Sequence, residues 1–156
     1  MSFDVAGMFK VTYCDFGEGG RVYLIREWSE GSIILSAGLE KIDGNLRWFI
    51  SRKEGVDMVT AYSESIVEFD EWYSLKLAYY PYVYPHGGSV NWCFLVVSSA
   101  DGIVEYVSDH GGHDGTTFPL EYNLIDRIDV GLVRSDNCYD ASIIVDNFYI
   151  FTDSSE

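Results

Sequence analysis

Short runs in which apolar and polar residues alternate with a period of two cover most of the chain, and that period is the mark of β-strands. In residues 7–13, Phe9, Val11 and Tyr13 alternate with Met8, Lys10 and Thr12. In residues 72–80, Tyr73, Leu75, Leu77 and Tyr79 alternate with Trp72, Ser74, Lys76 and Ala78. Further strands are expected over 21–28, 32–39, 46–52 and 56–62. Residues 91–97 are apolar on both faces, which suits a central strand. Asp101-Gly102 is a hairpin signal leading into a strand over 103–107. Ile42-Asp43-Gly44-Asn45 reads as another turn, because Gly and Asn tolerate positive φ. Residues 124–133 are expected to turn Ile128, Val130 and Leu132 inward and Arg127 and Asp129 outward. No stretch carries the period of an amphipathic helix. About ten strands separated by Gly and Asp turns predict an all-β, antiparallel sandwich or barrel. The least regular stretches are 81–90 and 108–119.

The last strand, over 141–151, is β-branched and aromatic with one acid inside it. Period two places Ile144, Asp146, Phe148 and Ile150 on one face. A carboxylate in such a run is costly to desolvate unless it is paired or bound to metal, so Asp146 is expected to have a partner.

Length and charge narrow the classes. A chain of 156 residues with 47% hydrophobic and 16% aromatic content is expected to form a single domain, residues 1–156, with an ample core. A net charge of −15 opposes nucleic acid, whose phosphates call for Lys and Arg. No apolar run is long enough for a membrane helix. The N-terminal residues lack the charged and apolar regions of a signal peptide. The expectation is a domain excised from a larger extracellular or cell-surface protein.

The order of several segments resembles the laminin-G-like, concanavalin-A-like jelly rolls. Phe9-Lys-Val-Thr-Tyr13 is similar to their opening strand. Glu71-Trp72-Tyr73-Ser-Leu75-Lys-Leu77 is similar to their central strand, and Trp92-Cys-Phe94 followed by Asp101-Gly102 to the next hairpin. Ile128-Asp-Val130-Gly131 and Ile144-Val-Asp146-Asn-Phe148 resemble the last two strands. The family includes lectins, carbohydrate-binding modules, adhesion domains, glycan hydrolases and lyases, so the resemblance implies a fold before a function. It also implies that the terminal strands are antiparallel neighbours. Cys14 and Cys138 would then lie opposite each other, as a disulfide or as two thiols. In that register Asp146 faces Ala6 and Asp4 faces Phe148, which makes Asp4 and Asp146 diagonal neighbours able to share a structural calcium. The alternative for Asp146 is a hydrogen bond to a ring or a backbone amide.

Two clusters suggest ligand contacts. Tyr79-Tyr80-Pro-Tyr82-Val-Tyr84-Pro-His86 offers flat rings on which sugars can stack, with Tyr82, Tyr84 and His86 the residues expected at the surface. Asp109-His110-Gly-Gly-His113-Asp114 could bind a metal, act as acid and base, or be a solvated loop. Trp48 is a further stacking candidate, with core packing as its alternative. Catalytic patterns are missing. Glu68-Phe-Asp70-Glu71 misplaces the second glutamate of the family's hydrolase motif, and the Arg, Gln-x-His and Tyr motifs of the lyases are not found. The sequence therefore predicts a non-catalytic, lectin-like module that binds glycan, with a protein-interaction or adhesion domain as the alternative and a glycan hydrolase or lyase third.

Overall fold

The computed structural model describes residues 2–83, 85–86, 89–108, 118–120 and 125–153. They form nine antiparallel strands and no helix: β1 (Ser2–Ser29), β2 (Ser32–Ile42), β3 (Asn45–Glu54), β4 (Asp57–Ile66), β5 (Trp72–Val83), β6 (Ser89–Ser99), β7 (Gly102–Val107), β8 (Phe118–Leu120) and β9 (Arg127–Asp153). The all-β antiparallel architecture is the one expected. The strand count differs because the expected strands over 7–13 and 21–28 are two arms of β1, and those over 124–133 and 141–151 are two arms of β9.

β1 and β9 form one long ribbon, and the ribbon bends. Its register runs from Ser2 opposite Asp153 to Trp28 opposite Arg127, with an irregularity between Phe16 and Arg21. At that bend Gly19 has φ 76°, a conformation that favours glycine. On its other edge the first arm of β1 pairs with β5, and the second arm pairs with β2. The two arms therefore seed two layers: β1-β5-β6 with β7 and β8, and β1-β2-β3-β4. At the far edge the Glu105 carboxylate on β7 accepts the backbone N–H groups of Glu64 at 2.8 Å and Ser65 at 2.9 Å. This clasp brings the outer strands of the two layers together and makes the sandwich nearly a barrel.

The tight turns follow from local chemistry. Asp43 and Gly44, both at positive φ (51° and 79°), make the two-residue β2–β3 turn that the sequence predicts. Glu30 and Gly31 do the same between β1 and β2, at 51° and 78°. The core lies between the layers. Val5, Phe9, Leu75, Leu77, Leu95 and Val97 come from one layer, and Leu24, Ile34, Leu39, Trp48 and Ile50 from the other. Trp48 meets Tyr73 edge-to-face across the gap at 5.2 Å, a geometry that adds to area burial.

Candidate functional site

A single irregularity in β1 sets up the most chemically distinctive surface. The β1–β2 register shifts between Tyr23 and Ile25. Leu24 and Ile25 are both fully buried in the core, so the strict alternation of a flat strand is broken there. Such bulges re-aim the side chains that follow. Arg26 consequently faces outward opposite Ser36, and Glu27 turns inward opposite Leu35. The bulge also brings the β1 backbone close to β2. A Cβ on Gly38 would lie 1.9 Å from the Val22 carbonyl oxygen, and only glycine fits.

Outside the bulge lies a groove of about 200 Å3, lined by residues including Arg21, Tyr23, Arg26, Ser36, Ser51 and Met58. This is smaller than the roughly 300–1,000 Å3 of pockets that enclose a drug-sized ligand. It suits one ring of a longer chain. Arg26 is 9% exposed and Ser36 1%. The buried Arg26 Nε and Ser36 Oγ have no hydrogen-bond partner. Buried donors are almost always satisfied, so two open ones lining the same groove mark a place for an acceptor. A second cavity, of about 260 Å3, lies at the bend of the ribbon and is lined by Cys14, Phe16, Leu46, Val67 and Phe69 among others. None of its lining residues has such an open buried polar atom.

Neighbouring groups hold the groove in shape. Arg21 forms an ion pair with Glu40 at 2.6 Å. It donates to the Tyr23 hydroxyl at 3.3 Å and to the Tyr62 hydroxyl at 3.2 Å, while its guanidinium stacks on Phe49 at 4.2 Å. The Arg21 pKa is raised: burial opposes this, but the bonds to Tyr23 and Glu40 outweigh it. Asp129 organises the rim. It accepts Trp28 Nε1 at 2.8 Å and Arg127 Nε at 3.0 Å, and it lies 3.8 Å from Arg26 Nη2. Burial pushes its carboxyl up, yet the Trp28 and Arg127 hydrogen bonds and both arginine charges bring it below its ordinary value. Inside the core beneath, Glu27 is 0% exposed and neither carboxylate oxygen has a partner. Desolvation, and next the charge of Asp4, raise its pKa well above the ordinary range.

The residues singled out in the sequence are dispersed. Trp48 is 0% exposed, inside the core, and offers no ring to a sugar. His86 is exposed at the β5–β6 turn, and the backbone of Tyr82 pairs with Val90. Tyr84, Asp109, His110, His113 and Asp114 lie outside the described residues. Asp146 is not a buried acid. It is exposed on β9, opposite Met8, and its Oδ1 accepts the N–H of Asn147 at 2.8 Å. Asp4 stands opposite Phe151, so the register that would join Asp4 and Asp146 does not occur. The cause is the register of the whole ribbon: Cys14 already stands opposite Ala141, three residues beyond Cys138, and the shift between Ala6 and Met8 adds one further residue on the β9 side. No group of three or more possible metal ligands is found among the described residues. Cys14 pairs with Ala141, and Cys138 with Phe16, rather than with each other. Both are free thiols, half-buried. Burial, and then the nearby Cys138, push the Cys14 thiol up to about 12.

The groove residues were not foreseen. Their one sequence signal is the pair Leu24-Ile25, two consecutive aliphatics that interrupt the alternation of Arg21-Val-Tyr23-Leu-Ile-Arg26. Similarly, Leu132 is exposed rather than inward, because Gly131, at φ 118°, breaks the alternation of β9.

No protein-family model matches the chain, and no curated protein does. Solved structures do. An alginate lyase from Klebsiella pneumoniae superposes with a TM-score of 0.62 at 7% identity, over 98% of this chain and 60% of the enzyme. An alginate lyase from Alteromonas sp. 272 gives 0.48 at 8% identity, over 96% and 71%. The chain thus spans about 60% of the first enzyme's length. At 7% identity the likeness to the Klebsiella pneumoniae enzyme shows a shared antiparallel β fold alone, consistent with the concanavalin-A-like resemblance. It turns the expectation away from a non-catalytic, lectin-like module: the Klebsiella pneumoniae structure that shares this fold is an alginate lyase, of the class placed third from the sequence.

Proposed function

We propose that the chain is a polysaccharide lyase module that acts on a uronate-containing glycan at the Arg26–Ser36–Tyr23 groove. One observation carries this reading. Two buried donors, Arg26 Nε and Ser36 Oγ, line the same groove without partners, and a sugar carboxylate supplies the acceptor both need. The fold shared with an alginate lyase supports it. The strong negative charge of the chain opposes an acidic substrate at long range. Arg21 and Arg26 line the groove beside Asp136, and Glu40 and Asp129 pair with the two arginines, so recognition of a carboxylate there rests on short-range, charge-assisted hydrogen bonds rather than on net local charge.

In β-elimination a uronate loses the proton on C5, the C4–C5 double bond forms, and the C4–O4 bond breaks. The departing oxygen takes up a proton, and no water is consumed. Arg26 and Ser36 bind the carboxylate and offset the charge that develops on it as C5–H breaks, the stabilisation that preorganised donors supply best. Tyr23 is the proton-transfer group. Its phenolic oxygen receives the Arg21 N–H at 3.3 Å, so the phenolate form faces a guanidinium. The phenolate takes the C5 proton, and the phenol so formed passes that proton to O4 as the C4–O4 bond breaks, which restores the phenolate.

The test is incubation with a panel of polyuronates and neutral glycans, following the ultraviolet absorbance of the unsaturated product. Product from a polyuronate and none from a neutral glycan is the expected result. No unsaturated product from any polyuronate overturns the proposal.

A further inference from the structure

The outer edge of β9 is open: among the described residues no strand pairs with it. Open edges template pairing with other chains, and proteins usually blunt them with charge. Here the opposite is found. Between residues 143 and 152 the only charged residue is Asp146, in a chain of net charge −15. Both faces of the strand are apolar and solvent-exposed. Ile144, Tyr149 (53% exposed) and Phe151 (58%) stand on one face, and Val145 and Ile150 on the other. Phe148 lies between them, 47% exposed.

The geometry points to a two-fold dimer in which β9 pairs antiparallel with β9 of a second copy and joins the sheets of the two molecules. The strand is self-complementary in one register. Val145 lies opposite the partner's Ile150, and Ile144 opposite the partner's Phe151. Asp146 lies opposite the partner's Tyr149 and so avoids its own copy. Residues of one face meet residues of the same face throughout, as cross-strand pairing requires. Asn147, at φ 49°, falls beside the two-fold axis, so both strands bend at the same place. A closed two-fold contact of this kind is isologous and stops at two copies.

The area is sufficient. Three rings at about half exposure present roughly 300 Å2. The aliphatic side chains and the strand edge bring each copy toward the ~800 Å2 per partner of a standard interface. A second copy is a chemically matched occupant because main-chain hydrogen bonds supply affinity and alternate side chains supply register. Both copies are acidic, so added salt strengthens the association by screening their repulsion.

The experiment is sedimentation velocity on the full chain over a range of micromolar concentrations, at low and moderate salt. The wild type is expected to sediment as a dimer, more completely at the higher salt. The Ile144→Lys/Phe151→Lys double variant is expected to sediment as a monomer with an unchanged circular dichroism spectrum. A wild type that is monomeric throughout overturns the inference, as it would if this edge served a longer chain or a different protein. A dimer that persists in the folded variant also overturns it. Should the variant not fold, an Ile144→Cys/Phe151→Cys chain is oxidised instead. A covalent dimer is expected, and its absence overturns the proposed register.

Discussion

Arg26 and Glu27 are sequence neighbours placed in opposite environments by one bulge. Arg26 reaches a groove with an unpartnered Nε, and Glu27 enters the core with an unpartnered carboxyl. Each leads to a prediction. Ser36→Ala removes a hydroxyl that bonds nothing in the free protein, so stability is expected to stay within about 0.5 kcal/mol of wild type. Cleavage of polyuronate by the same variant is expected to fall by roughly 10–100-fold, and Arg26→Ala by roughly 100–1,000-fold. Thermal melts beside product assays separate the two effects, and a parallel loss of stability and activity would refute the role given to Ser36. For Glu27 the sign of the pH dependence is fixed by the direction of its shift. Its folded pKa lies above its unfolded one, so the folded state retains a proton that the unfolded state releases. Below the ordinary glutamate value of 4.5 both states are protonated and no penalty exists. As pH rises from there toward the folded pKa, Glu27 costs progressively more stability. Asp129, with its lowered pKa, acts in the opposite sense, and its contribution is lost as pH falls. Glu27→Gln is expected to stabilise the fold at neutral pH by about 1–3 kcal/mol and to have little effect in acid. Denaturant melts at several pH values check this.

At the scale of elements, the period-two pattern located nearly every strand and turn, because alternation reports which face is buried. Tyr73, Leu75, Leu77 and Tyr79 are buried as the alternation of β5 demands. What alternation does not carry is where it is interrupted and how strands register against each other. The bulge at Leu24-Ile25 shapes the groove, and a β1–β9 register that sets Cys14 opposite Ala141 rather than Cys138 separates Asp4 from Asp146. Asp146 looked buried because its neighbours are apolar. Those neighbours sit on an edge strand and are exposed as well. Gly38 tests the bulge directly. Gly38→Ala would force its new methyl against the Val22 carbonyl, and a loss of about 2–4 kcal/mol is expected from the backbone shift required. Urea unfolding measures it, and a loss below about 0.5 kcal/mol would contradict the close approach.

For the whole molecule, a ribbon bent on itself builds two layers from two strands, and the Glu105 clasp closes the far side. The fold was legible from the order of strands, and the resemblance to jelly rolls agrees with it. The aromatic and histidine-rich stretches are contiguous and stand out in the sequence, whereas the groove is assembled from β1, β2, β3, β4 and β9, whose lining residues meet only after pairing. Arg21 and Arg26 of β1 line the groove together, and strand pairing sets Asp136 of β9 beside them.

The central claim is that this groove cleaves an acidic glycan. The most direct measurement is the rate of unsaturated product formation from polyuronate by the wild type beside a Tyr23→Phe variant, which keeps the ring packed on Phe49 at 5.5 Å and loses only the hydroxyl. The account predicts product from the wild type and a fall of at least about 100-fold in the variant, within the range that proton-transfer groups supply, with stability lowered by no more than about 1 kcal/mol, the worth of the lost Arg21 hydrogen bond. Cleavage by the variant at the wild-type rate would contradict the site, and no cleavage by the wild type would contradict the function.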